Sequence, residues 1–296
     1  MNSVFFPLVK RPIGKFLRKL EEEKYKRNLT RQQLKVPDKG IYLSYAGQSV
    51  PDKNGIIHGG RVKLVHLAQE YPEKKSLTNI LYLVSSAIPQ HAEVLVRYLK
   101  EKGVKFVWNQ NGVAYPAWDN NNYKITNSNL ASLLHVADYV VYQSEFCRLS
   151  ADRYLGKANV PSKVLYNPVD TELITLSDNP PSLDTWQLLV TGTHLQPDRV
   201  LLILKTLAYI KTRGQDANLV IAGRLGWPDG EKETFDAIRK LDLTGNVELL
   251  GAYTQEQAPV IYQNAQILFH IKYKDPCPTV PIEAMSCGVP VIGSFS

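Results

Sequence analysis

The sequence predicts an α/β protein of two domains, each with a parallel sheet that helices cover on both faces. Three observations support this fold class. The 296 residues exceed one ordinary domain and suit two of about 130–150 residues. Short apolar runs of strand length alternate with stretches of helical periodicity. A turn-rich segment with two adjacent prolines, Ser177–Ser182, interrupts the alternation and predicts a linker there.

The first 36 residues form a basic arm. They contain ten Lys/Arg and three Glu, which accounts for the whole net charge of +7. Ile13, Phe16, Leu17 and Leu20 lie at helical spacing and predict one apolar stripe on a short helix. The helix either docks its stripe on the protein body or makes peripheral contact with an anionic membrane surface. The neutral remainder of the chain argues against nucleic-acid binding.

The body is predicted in three parts: an N-terminal domain at 37–176, the linker at 177–186 and a C-terminal domain at 187–296. The N-terminal domain has predicted strands at 40–46, 79–85, 105–109, 139–143 and 163–167 and helices at 60–70, 90–102, 127–137 and 145–155. The C-terminal domain has predicted strands at 187–192, 217–223, 246–251, 266–271 and 289–293 and helices at 198–213, 231–241, 255–264 and 281–287. Since strands alternate with helices, both sheets are expected to be parallel.

Composition excludes several classes of protein. Three cysteines, none in a Cys-x-x-Cys pair, favour reduced and mostly buried thiols. There is no apolar run of membrane-spanning length and no secretory leader pattern, so the expected location is cytoplasmic. The aromatic residues Trp108, Tyr115, Trp118 and Tyr123 are predicted to pack in the core or a loop, with stacking on a sugar ring as the alternative.

The most specific stretch runs from Asp275 to Val291. It reads Asp275-Pro-Cys-Pro-Thr-Val-Pro-Ile-Glu283-Ala-Met-Ser-Cys-Gly288-Val-Pro290-Val. This stretch resembles the donor-site motif of family-four glycosyltransferases, which are retaining enzymes with the GT-B fold of two Rossmann-like domains facing across a cleft. In that family an acidic residue, seven further residues and a glutamate precede Ala-Met-x-x-Gly-x-Pro-Val. Asp275 stands where glutamate is usual, and its spacing to Glu283 is kept.

The resemblance implies transfer of a sugar from a nucleotide-diphosphate sugar to an acceptor hydroxyl with retention of the anomeric configuration. It implies that Glu283 holds the donor ribose and that Asp275 holds hydroxyls of the transferred sugar, and both are assigned as catalytic. Thr279 and Val280 lead into the helix predicted at 281–287, whose N-terminal amides suit a diphosphate. Compared with the family, the C-terminal part of the fold is expected to be incomplete.

Further donor-binding positions follow the first two strands of the C-terminal domain. His194 and Arg199 have the spacing of two cations that contact the donor diphosphate in the family, although the identities differ. Gly223 and Arg224 follow the next strand, where the family's backbone meets the nucleobase. Arginine can clamp phosphate with paired hydrogen bonds.

Two further positions lie in the N-terminal domain. Gly59, Gly60 and Arg61 open a helix, as does the family's glycine-rich loop that faces the donor phosphates. Asn111 occupies the place of the family's histidine at the sugar and acceptor and is assigned as catalytic, with a turn-forming Asn-Gly as the alternative.

No cofactor and no metal are expected, because the sequence has neither an Asp-x-Asp motif nor a metal-ligand cluster. The expected partners are a nucleotide sugar and a glycan, lipid or small-molecule acceptor. Two other functions stay open. One is a nucleotide-sugar-binding protein without transfer activity, and the other is a sugar-nucleotide epimerase with the GT-B fold.

Overall fold

The computed structural model describes residues 10–31, 33–48, 50–52, 55, 57, 59–74, 76–116, 122–179, 181–182 and 184–294. The chain forms two compact units. The first contains Met1–Val50 and Lys63–Tyr166, and the second contains Pro51–Val62 and Asn167–Ser296. Each unit has a five-stranded parallel sheet, so the predicted fold class is confirmed.

The sheet of the first unit has its strands in chain order. It consists of β1 (Leu43–Ser44), β2 (Ile80–Val84), β3 (Lys105–Gln110), β4 (Tyr139–Tyr142) and β5 (Ser162–Val164). The helices are α1 (Lys10–Arg31), α2 (Val62–Glu70), α3 (Ala92–Glu101), α4 (Tyr123–Leu134) and α5 (Glu145–Tyr154). All five strands predicted for this domain are therefore present.

Strand β2 shows how the first sheet is covered. Leu81 and Leu83 belong to a core cluster with α3, α4 and α5, whereas Tyr82 and Val84 pack with Leu64 of α2 in another cluster. Successive side chains of a strand point to opposite faces. An unbroken apolar strand therefore lies between two helical layers, as predicted.

The N-terminal arm forms a longer helix than predicted, because α1 has 22 residues. Its C-terminal end docks on the first unit, where Leu29 is buried and Tyr25 packs against the same core cluster. The hydroxyl of Tyr98 donates to the carbonyl oxygen of Leu29 at 3.2 Å. The helix therefore docks through residues outside the predicted stripe.

The predicted apolar stripe lies nearer the helix start. Leu17 and Leu20 are exposed by 52% and 50%, so they do not dock on the protein body. The side chains of Ile13 and Phe16 lie outside the described part of the chain. Among the described residues no helix is both long enough and apolar enough to span a membrane.

The second unit has the strand order β10-β9-β6-β7-β8. Its strands are β6 (Trp186–Thr191), β7 (Ala217–Ala222), β8 (Val247–Gly251), β9 (Ile267–His270) and β10 (Val291–Gly293). Its helices are α6 (Asp198–Thr212), α7 (Gly230–Lys240), α8 (Ala258–Gln263) and α9 (Thr279–Ser286). Helices α6 and α7 pack on one face, and α8 and α9 pack on the other. The strand order reverses between β6 and β9, which makes this the point where such sheets bind ligands.

The boundary between the units differs from the predicted linker at 177–186. The division falls between Tyr166 and Asn167, because Ile174 is 1% exposed in the core of the second unit. Ser182, within the predicted linker, also accepts a hydrogen bond at its carbonyl from Gln266 of the second unit. The predicted linker therefore falls inside that unit.

The second unit also takes a segment from the predicted N-terminal domain, residues 51–62. The backbone amide of Gln255 donates to the carbonyl of Gly55 at 3.1 Å. Such a return of the chain involves contacts distant in sequence, and hydrophobic periodicity does not reveal them.

Two groups of side chains agree with the sequence analysis. All three cysteines are free and buried, as predicted. Trp108 and Tyr115 are buried at 0% and 3% exposure, which favours core packing over stacking on a sugar. Tyr123 begins α4, and Trp118 lies outside the described residues.

Candidate active site

The candidate site lies at the carboxyl ends of β6 and β9. Thr193 follows β6, and the loop that contains Asp275 follows β9. An ideal Cβ on Gly192 would lie 3.8 Å from Cγ2 of Val280. The first turn of α9 therefore lies beside the end of β6, so both loops meet at the reversal of strand order.

Asp275 is held between two basic side chains. Its Oδ2 atom lies 2.6 Å from Nζ of Lys272 and 3.6 Å from Nε2 of His270, and its side chain is 11% exposed. Burial alone would raise the pKa of Asp275, but His270 and Lys272 together outweigh burial and hold the pKa below its ordinary value. Asp275 is therefore an aspartate at neutral pH, with its charge partly offset.

Arg199 lies in the first turn of α6 and interacts electrostatically with Asp275. Burial lowers the pKa of Arg199, and the charge of Asp275 raises it, yet a guanidinium stays protonated in proteins. Its Nη1 donates to the carbonyl of Thr193 at 3.4 Å. Arg199 and Asp275 therefore form an electrostatic pair of opposite charges.

Glu283 lies in α9 with 8% of its surface exposed. Its Oε2 accepts a hydrogen bond from the hydroxyl of Tyr262 at 2.6 Å. Its Oε1 accepts one from Nε2 of Gln255 at 3.2 Å. Sequence reasoning missed both partners, because neither falls within a recognisable motif around Glu283.

His194 does not have the environment of a phosphate-binding cation. It is 2% exposed, and Nε2 lies 3.0 Å from the carbonyl oxygen of Ala222, so Nε2 carries the proton and donates. Burial lowers the pKa of His194 to about 4. The ring is therefore neutral at pH 7 and joins β6 to β7. The assignment of His194 to the diphosphate is corrected accordingly.

Gly223 is where the two loop backbones come closest. Its φ is +101°, and an ideal Cβ there would lie 1.9 Å from the carbonyl oxygen of Gly192. Only glycine fits this position. Arg224 follows with an exposed side chain, while its carbonyl accepts from the amide of His194 at 2.9 Å.

The glycine-rich segment lies beside the start of α9. Gly59–Arg61 forms a short 3₁₀-helix, and an ideal Cβ on Gly59 would lie 3.7 Å from Oγ1 of Thr279. The first turn of α9 contains no acidic residue, so its amides present positive potential. Within the described residues, Nε of Arg61 is buried without a hydrogen-bond partner. These groups together suit an anion.

Asn111 belongs to the first unit. It follows β3 and is 6% exposed. Its Nδ2 donates to Oγ of Ser86 at 2.7 Å, and its amide donates to Oγ of Ser85 at 2.8 Å. These bonds anchor the chain after β3 to the end of β2, so Asn111 supports the carboxyl edge of the first sheet.

Two cations act on the charge of Asp275. Lys272 and Arg199 both act electrostatically on Asp275, so the local balance is positive. Among the described residues, no group of three or more His, Cys, Asp and Glu is placed to hold a metal ion.

The second unit resembles a known protein family. Residues 178–295 match the family model for glycosyl transferases group 1. None of the curated protein sequences gives a significant match to this chain.

Solved structures resemble both units. The Anabaena protein Alr3699/HepE in complex with UDP and glucose has a TM-score of 0.60 and 20% identity, over 78% of this chain and 61% of that one. Sucrose-phosphate synthase from Thermosynechococcus elongatus has a TM-score of 0.58 and 15% identity, over 88% and 69%. A glycosyltransferase from Rickettsia africae has a TM-score of 0.55 and 15% identity, over 78% and 60%.

These similarities show the fold class: two parallel-sheet α/β units of the GT-B type. The chain spans 61% of the length of the Anabaena protein. The match of the second unit to group 1 and these neighbours together support a relationship to the glycosyltransferase superfamily.

The close approach at Gly223 predicts a position-specific effect of an added methyl group. Gly223→Ala should destabilise the protein by at least about 3 kcal/mol, because the strand ends must separate. Gly245→Ala is the matched control, since Gly245 has a φ of +94° but open space around it. It should cost only about 1–2 kcal/mol. Urea unfolding measures both, and equal losses would contradict the packing described here.

Burial of neutral His194 predicts a pH dependence of stability. The unfolded chain binds a proton near the ordinary pKa of 6.5, whereas the folded chain does so only near pH 4. Stability should therefore fall as the pH drops from about 7 to 4, by at most about 3 kcal/mol. His194→Gln keeps a donor for Ala222 and should lose this part of the slope. Urea unfolding at several pH values tests this, and parallel curves would contradict it.

Proposed function

We propose that this protein transfers a hexosyl group from a nucleotide-diphosphate sugar to an acceptor hydroxyl, with retention of the anomeric configuration. One observation carries the proposal. Ionised Asp275 lies at the reversal of strand order in the unit that matches group 1 glycosyl transferases. It forms an ion pair with Lys272 and interacts electrostatically with Arg199. This combines an acceptor for sugar hydroxyls with cations for a diphosphate at one place.

The diphosphate is assigned to groups around the start of α9. The backbone amides of Thr279 and Val280 and those of Gly59 and Gly60 supply donors, and Arg61 supplies a partly buried guanidinium. Arg199 adds a second cation from the first turn of α6. These fixed positive groups stabilise the charge that develops on the leaving diphosphate, so the proposal requires neither a metal nor another cofactor.

The hydroxyls of the donor are assigned to the two carboxylates. Asp275 accepts from the transferred sugar and Glu283 from the ribose, since charge-assisted hydrogen bonds to hydroxyls are short and strong. Gly223 lets the backbone approach the nucleobase, and the exposed side chain of Arg224 lies next to it in the chain.

The proposed reaction needs no protein base. The bond from the anomeric carbon to the diphosphate oxygen breaks, and the acceptor oxygen bonds to that carbon on the same face. The acceptor proton passes to the departing diphosphate oxygen. Asn111 has no role in proton transfer in this scheme, which fits an amide that is hydrogen-bonded to Ser86.

A second candidate is a nucleotide-sugar-binding protein without transfer activity. The neutral state of His194 favours it, because the leaving group then has one cation fewer than in the related enzymes' pattern. A sugar-nucleotide epimerase would differ from both candidates by converting the donor without an acceptor. Product analysis by mass spectrometry with and without acceptors separates the three.

The cytoplasmic location of the protein remains a prediction. Peripheral membrane contact through residues 1–36 also remains one, supported by the exposed Leu17 and Leu20 on a basic helix. A glycan, a lipid or a small molecule each fits as acceptor.

The carboxylates predict the effect of neutral substitutions on transfer. Glu283→Gln and Asp275→Asn should each lower kcat/KM at least about 100-fold, because each replaces a charged acceptor at the donor. The measurement is product formation from UDP-, GDP- and ADP-glucose with an acceptor library. Glu248→Gln is the control, since Glu248 is exposed on β8, and it should retain full activity. Undiminished transfer by Glu283→Gln would refute the assignment.

A further inference from the structure

We propose that Tyr262 is a positioning residue, which fixes the Glu283 carboxylate in the orientation that accepts the donor's hydroxyls. This inference rests on the proposed function and adds a residue to its site. The residue lies in α8, outside the matched donor-site motif, and no sequence pattern assigned it a role.

The contact itself is short and buried. The Tyr262 hydroxyl donates to Oε2 of Glu283 at 2.6 Å, and Tyr262 is 0% exposed. A hydroxyl that donates to a carboxylate at this distance forms a charge-assisted hydrogen bond.

A second donor fixes the other oxygen. Nε2 of Gln255 lies 3.2 Å from Oε1 of Glu283. The last torsion of a glutamate has broad energy minima, so an unbound carboxylate samples many orientations. With one donor on each oxygen the plane of the carboxylate is set. A carboxylate offers about four lone-pair sites, which leaves acceptor capacity for a pair of hydroxyls.

A second tyrosine lies next to the positioning group. The Oγ1 hydroxyl of Thr191, the last residue of β6, donates to the hydroxyl of Tyr253 at 2.7 Å. Tyr253 and Tyr262 each affect the pKa of the other, so the two hydroxyls lie close together beside Glu283.

Both tyrosines keep their protons over the neutral range. Burial is the main cause that raises the pKa of Tyr262 well above its ordinary value, and burial likewise raises the pKa of Tyr253. Tyr262 thus remains a donor at any pH where the protein works, and Glu283 retains its partner.

The test is a double-mutant cycle on donor binding. Calorimetry measures the Kd of whichever of UDP-, GDP- and ADP-glucose binds wild type most tightly, and kinetics give KM and kcat. Tyr262→Phe should raise Kd and KM about tenfold and change kcat less. Without the Tyr262 hydroxyl the Glu283 carboxylate is free to rotate, so donor binding must fix its orientation. In the Glu283→Gln background, Tyr262→Phe should change Kd no more than about twofold, since it acts through that carboxylate.

Tyr45→Phe is the matched control. Tyr45 is 1% exposed in the first unit, and its hydroxyl donates to the carbonyl of Tyr71 at 2.9 Å. It should lose a similar amount of thermal stability without a change in Kd. This separates loss of a buried hydroxyl in general from loss of the bond to Glu283.

The outcomes are distinct. If Tyr262→Phe binds donor like wild type, or if its effect adds fully to that of Glu283→Gln, the positioning role is overturned while the proposed function stands. If wild type neither binds nor turns over any of the three donors, the proposed function fails, and the inference fails with it.

Discussion

The reversal of strand order in the second sheet is the constraint on which the site depends. Helix α6 leaves β6 toward one face, and α9 follows β9 on the other. The two loops therefore separate above the sheet and leave a crevice at the strand ends. Arg199 comes from the first turn of α6 and Asp275 from the loop after β9, and the two charges interact electrostatically. The loop after β9 pairs Asp275 with Lys272, and Arg199 adds a second cation from the element after β6.

Rigid local packing supports this arrangement. Gly223 allows the chain after β7 to touch Gly192, and buried His194 ties the loop after β6 to Ala222. A site built on strand ends keeps its geometry better than one carried by free loops. The same packing explains why His194 is neutral: a buried ring with one carbonyl partner gains nothing from a second proton.

Periodicity in the sequence was sufficient to predict the fold. All ten predicted strands are present, since buried runs such as that of β2 are bounded by clear turns. The motif from Asp275 to Val291, which resembles a glycosyltransferase donor site, lies within the segment that matches group 1. The local sequence pattern did not predict contacts between residues that are distant in sequence. Ile174 and the segment 51–62 joined the second unit through tertiary packing, and the bond from Tyr262 to Glu283 spans 21 positions. The charge state of His194 depended on burial, which no spacing reveals.

The central claim is that a nucleotide-diphosphate sugar binds at the ends of β6 and β9. Hydrogen–deuterium exchange of the full chain, with and without saturating UDP-glucose or whichever tested nucleotide sugar binds, tests it most directly. Donor binding at these strand ends should slow exchange in residues 192–199 and 275–283 and leave exchange at the α7–β8 edge of the same sheet unchanged. Protection confined to other segments, with no change in those two loops, would contradict it.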